Sequence, residues 1–158
     1  MDQPFITIDT IKEINRNLPI HNMWDGFWIH YYDKDYLMLS CSFDRIYYRD
    51  FDIEFRGVIF FNLPYEWRDT DIQGDELIRL SDKEEFGLYH PDFDTREHTI
   101  MAIDIYFDRG VNTKKQTFFV VAKSVFLQRI QQSVRIPTRN YVDIYADEKF
   151  PCFKNRVV

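Results

Sequence analysis

Residues 51–64 read Phe-Asp-Ile-Glu-Phe-Arg-Gly-Val-Ile-Phe-Phe-Asn-Leu-Pro. Phe51, Ile53, Phe55, Ile59, Phe61 and Leu63 hold every odd position except Gly57, a period of two that belongs to a β-strand with one face in the core. The even positions change character along the run: Asp52, Glu54 and Arg56 are charged, whereas Val58 and Phe60 are apolar. The pattern predicts a strand that begins with Asp52 and Glu54 on a wet face and ends buried on both faces. Gly57, at the change, is the expected place for a bulge or bend.

Upstream of this stretch, Thr10-Ile-Lys-Glu13 has the form of a capping box, and Ile11, Ile14 and Leu18 share one helical face until Pro19 stops the helix. Trp24–Tyr32 and Tyr36–Phe43 alternate around the polar turn Asp33-Lys34-Asp35 and predict a hairpin. Downstream, 64–99 is acidic and without sustained period. Glu76–Leu80 is a candidate short strand, and Ser81 with Glu84 a candidate cap for a helical turn through Phe86. Strands resume over Ile100–Phe107 and Gln116–Ala122 around a hairpin loop at 108–113. Val125, Phe126, Leu127, Ile130 and Val134 suit either a strand or a short helix, and Tyr141–Ala146 reads as a last strand. The expected fold is α+β, mainly antiparallel sheet with a short N-terminal helix packed on one face. It forms a single domain over 1–158.

Fifteen Phe, ten Tyr and three Trp supply a core that needs no disulfide or structural metal. No apolar run approaches the ~20 residues that span a bilayer, and the N-terminus has no basic patch followed by an apolar region. A cytoplasmic protein with no membrane association is therefore expected, with Cys41 and Cys152 both reduced. The net charge of −6 argues against nucleic acid as a partner. Charge is unevenly spread: residues 1–110 carry 11 Lys/Arg against 23 Asp/Glu, a net of −12, and residues 111–158 carry 9 against 3, a net of +6. Either the two parts neutralise each other in the fold, or an acidic face recruits a basic partner.

Motifs for nucleophilic, phosphate or dinucleotide chemistry are missing from the sequence. Asp69-Thr-Asp71-Ile-Gln73-Gly74-Asp75-Glu76 opens like a calcium loop, but Leu80 stands where the bidentate Glu belongs, so an acidic turn and no metal site is expected. His90, Asp92, Asp94 and His98 crowd one loop and form the alternative reading, a small enzyme or a ligand- or metal-binding domain, although their spacing matches no established ligand pattern. Asp52 and Glu54 point the same way on a strand, as a glycosidase pair would, and Arg45, Arg49 and Arg56 offer them salt-bridge partners. Aromatic residues from Trp24 to Trp67 exceed what one strand face hides. They are either core and cross-strand packing or an exposed surface with acidic neighbours. The candidate partner surface is Tyr65, Glu66, Trp67, Asp69, Asp71, Asp75 and Glu76, in a segment read as poor in apolar residues. No cofactor is expected.

Residues 20–64, with His21 before the first strand and Phe55-Arg-Gly57-Val58 in the third, resemble small bacterial β-rich proteins of the immunity-protein type. Asn22 stands where such proteins usually carry Asp after the histidine. The resemblance implies a non-enzymatic protein that neutralises a basic toxin by covering its active surface. It assigns no catalytic residue, because such proteins act by binding.

Overall fold

A computed structural model describes residues 6–23, 25–42, 49–92, 94, 95, 97–108 and 113–130. The strand expected at Tyr141–Ala146, Cys152, and the aromatic residues Trp24, Tyr47 and Tyr48 lie outside the described residues. Helix α1 (Ile8–Asn17) starts one turn earlier than Thr10 suggested: Thr7 is its cap, accepting from the Thr10 N–H at 3.3 Å, while Thr10 Oγ1 accepts from the Thr7 N–H. Ile11, Ile14 and Leu18 are buried as their spacing requires. Strands β1 (Phe27–Asp33) and β2 (Tyr36–Cys41) form the hairpin around residues 34 and 35, with Lys34 in the left-handed region at φ 49. Then follow β3 (Phe51–Arg56), β4 (Phe60–Phe61), β5 (Glu66–Trp67), β6 (Arg79–Leu80), α2 (Lys83–Tyr89), β7 (Thr99–Asp108), β8 (Thr113–Ala122) and β9 (Ser124–Arg129). The fold is α+β with antiparallel sheets, as the alternation implied.

Two sheets result. The first has the order β5-β1-β2-β3-β9 and the second β4-β8-β7-β6. Their facing sides share one core: Phe27, Leu37, Leu39, Ile53 and Phe55 from the first meet Met101, Ile103, Ile105, Phe118 and Val120 from the second, with Ile11 and Ile14 of α1. The outer side of the second sheet is closed by α2, whose Phe86 packs on Ile100, Ala102, Phe119 and Val121.

The 51–64 run is not one strand, and Gly57 is the reason. Arg56 pairs with Ser124 and Phe60 with Val121, so residues 57–59 oppose only 122 and 123. That extra residue is a bulge. Gly57 takes φ +62, and a Cβ there would meet the Lys123 side chain at 2.8 Å. Here both chains of the ribbon leave one sheet for the other: β3 gives way to β4, and β8 to β9. Ile59, expected inside, lies in the bulge and is 40 % exposed. Of the ambiguous residues after Lys123, Val125, Phe126 and Leu127 become a strand because β3 offers them an edge, from Phe51–Arg129 to Arg56–Ser124; Val134 lies outside the described residues.

A further expectation is overturned. Asp52 and Glu54 do not face water; they are 0 % and 2 % exposed. Alternation put them correctly on the side opposite Ile53, but that side is also buried, and Arg49 lies against it to neutralise Asp52.

Candidate functional site

The segment 65–76 runs along the free side of β1 and then folds against α1. Its geometry follows from a few anchors. Trp67 pairs with Phe27 in β1, and the two rings stack at 5.7 Å. Gly26, at φ +78, allows this approach, since a Cβ would fall 2.2 Å from the Trp67 carbonyl oxygen. Residues 69–71 form a 3-10 turn in which Asp69 accepts from the Thr70 N–H and Asp71 from the Arg68 N–H, both at 2.9 Å. Ile72 and Leu77 are buried in the core. At the far end Asn15 of α1 clamps the chain: its Oδ1 accepts from the Leu77 and Ile78 N–H groups and its Nδ2 donates to the Ile78 carbonyl. His21 Nε2 donates to the Gly74 carbonyl at 2.7 Å, which places Asp75 3.9 Å away.

The seven residues singled out in this segment therefore divide. Tyr65, Glu66, Asp75 and Glu76 are exposed and Asp71 is half-buried. Trp67 and Asp69 are interior, at 3 % and 8 %. They position the segment rather than present themselves on it. The segment also has more apolar support than its composition suggested, because Trp67, Ile72 and Leu77 all point inward.

The outer side of the first sheet carries a second polar constellation. Arg49 Nε donates to both carboxylate oxygens of Asp52 at 3.0 Å, and Ser40 Oγ donates to one of them at 2.7 Å. Glu54, two residues on, accepts from Arg56 Nη2 at 3.4 Å, and the Tyr36 hydroxyl donates to Met38 Sδ at 3.9 Å. Trp28 Nε1 donates to His30 Nδ1 at 3.1 Å in the neighbouring strand. Burial raises the Asp52 carboxyl, against the opposing pull of Arg49 and Ser40. Burial, with Glu54 beside it, pushes the Tyr36 hydroxyl well above the ordinary phenol range. A charge pair this deep is held by its own hydrogen bonds and is closed to a ligand. Arg49 and Arg56 pair with Asp52 and Glu54 as the sequence suggested; what strand alternation did not show is that Ser40 opposes Asp52 and that the pair is buried.

The His90–His98 loop is not gathered into one site. His90 lies against Phe60 and Phe86, with ring centroids 4.4 and 4.9 Å away. It shares a cavity of about 210 Å³ with Lys83, Gly87 and Asp94. Asp92 and His98 do not line it, and His98 is held below its ordinary range by burial and by Lys123. Among the described residues, no three His, Cys, Asp or Glu side chains converge to hold a metal ion. Nor is any helix among them long and apolar enough to cross a membrane. No family model, curated protein or solved structure matches this chain.

Proposed function

We propose that this is a non-enzymatic binding protein. Tyr65, Glu66, Asp71, Asp75 and Glu76 would present an acidic surface to a basic protein partner, as an immunity-type protein does when it covers a toxin. The observation that carries the reading is the fixed presentation of these charges. Trp67, Ile72 and Leu77 are buried beneath the segment, and Asn15 and His21 tie its far end to the N-terminal helical region. A backbone held in place before encounter loses little freedom on binding, and the exposed charges it carries steer a partner of opposite sign. Three acidic residues elsewhere are already paired within the fold: Asp52 with Arg49, and Glu85 and Asp104 with Arg79. Blocking is steric and electrostatic, with no bond made or broken.

The test is affinity capture from native lysate with the wild type and with Glu66→Gln/Asp75→Asn/Glu76→Gln, followed by on-rates for any retained protein at two salt concentrations. The expected result is a basic protein that binds the wild type quickly at low salt, more slowly at high salt, and the variant slowly at both. Identical captured proteins and salt-independent rates for both forms would overturn the reading.

A further inference from the structure

Helix α2 and the loop that follows it enclose the cavity of about 210 Å³. Lys83, Gly87 and His90 line it from the helix, at positions i, i+4 and i+7 of one face, and Asp94 and Thr95 line it from the loop. Phe86 and Thr95 are its buried part, and Lys83 and Asp94 are exposed. Two of these residues are not accounted for by packing. Gly87 sits inside the helix, where glycine is less favourable than alanine. Its φ is not left-handed, and a Cβ there would meet no atom within 4 Å. Neither backbone nor neighbours require the missing side chain; its absence leaves room in the cavity. His90 packs on the Phe60 and Phe86 rings, yet its Nε2 is buried with no hydrogen-bond partner among the described residues, a state that costs stability and that an apolar ring would avoid.

The charges indicate what fits. Lys83 and Asp94 border one small cavity, and no ion pair among the described residues joins them. A ligand with one charge would satisfy one of them and stand against the other, whereas a zwitterion satisfies both. A carboxylate has about four acceptor positions, so Asp94 can take a ligand ammonium beside the contacts it already makes. A cavity of about 150 Å³ holds benzene, so this one suits a somewhat larger body. We infer that the cavity binds a free α-amino acid with an apolar side chain, of about the size of leucine. Lys83 holds the carboxylate, Asp94 holds the ammonium, and the side chain lies against Phe86 in the space that Gly87 leaves. The site shares no residue with the acidic segment, so the two readings stand or fall separately.

Titration of the full chain with L-leucine, followed by calorimetry and by thermal shift, should show saturable binding that raises the melting temperature. Leucinamide lacks the carboxylate and N-acetyl-leucine lacks the ammonium. Each should bind about tenfold more weakly than leucine, the effect of losing one charge-assisted hydrogen bond. Lys83→Met should erase the preference over leucinamide and keep that over N-acetyl-leucine, and Asp94→Asn should do the reverse. Gly87→Leu should abolish binding at an undiminished melting temperature, because leucine favours the helix and its Cβ meets no atom there. The two charge variants, both at exposed positions, carry the test if Gly87→Leu is unstable. Absence of saturable binding by both methods overturns the inference, as do derivatives that bind as tightly as leucine or leucine binding that survives Gly87→Leu. Binding of N-acetyl-leucine alone overturns it in favour of a pocket for simple carboxylates.

Discussion

Arg49 and Asp52 show how much depends on a single pair. Their side chains are 1 % and 0 % exposed, and Arg49 Nε spans both carboxylate oxygens. Taking both charges out of water is costly, and the hydrogen bond from Ser40 adds to the attraction that offsets it. Removing one partner leaves the other buried, so Asp52→Ala should destabilise by about 3–5 kcal/mol. Arg49→Met/Asp52→Leu should cost far less than the sum of the single changes, because apolar replacement of both partners leaves no buried charge unpaired. Urea denaturation of the two single variants and the double gives the coupling energy; additive losses would show that the pair does not act as a unit.

At the level of elements, the molecule turns on the crossing of its central ribbon. Strands β3 and β9 belong to one sheet and β4 and β8 to the other, and the same residues, 57–59 and 122–123, carry both chains across. Gly57 combines a left-handed backbone with a contact at Lys123 Cβ and Cγ, both 2.8 Å from where its own Cβ would be. Gly57→Ala should therefore lose about 1–3 kcal/mol from the backbone alone, with an added loss from the contact. Lys123→Ala should not rescue it, because the Lys123 Cβ remains; Lys123→Gly should recover only the steric part. Denaturant midpoints of the three backgrounds test this, and a full rescue by Lys123→Ala would place the strain in the long side chain instead. The alternation around Gly57 was legible in the sequence, and so was the break. The change of sheet was not, because pairing partners 59 to 78 residues away decide it.

Over the whole molecule, charge sets the response to acid. Arg79 joins β6 to both α2 and β7: Nη1 donates to Glu85 at 2.9 Å and Nε to Asp104 at 2.7 Å, while Ser81 donates to Glu85 and Thr117 to Asp104. Burial pulls both carboxyls upward, but the Arg79 hydrogen bonds outweigh it and hold Glu85 and Asp104 below their ordinary range. Unfolded carboxyls titrate near pH ~4. In the window below that value the unfolded chain binds more protons, so stability is complete above it and is lost as pH falls through the lower, folded values. Asp52 has the opposite sign: its raised folded value makes its share complete below the unfolded value and lost as pH rises through the folded one. Urea denaturation between pH 3 and 6 should show a shallower acid-side loss in Arg79→Met than in the wild type. The same acid slope in both would remove the network from the account.

Local sequence determined what depends on near neighbours: the strand periodicity of 51–56, the α1 face of Ile11, Ile14 and Leu18, the break at Gly57, and the hairpin around Lys34. These need only backbone geometry and the spacing of apolar residues. Tertiary structure decided which faces met water. It buried Asp52 and Glu54 on a face that alternation marked as polar, drew Trp67 and Asp69 out of the acidic surface, and left Tyr32 exposed beside Phe61. A residue's face follows from its own strand, but the exposure of that face depends on what the rest of the chain lays against it.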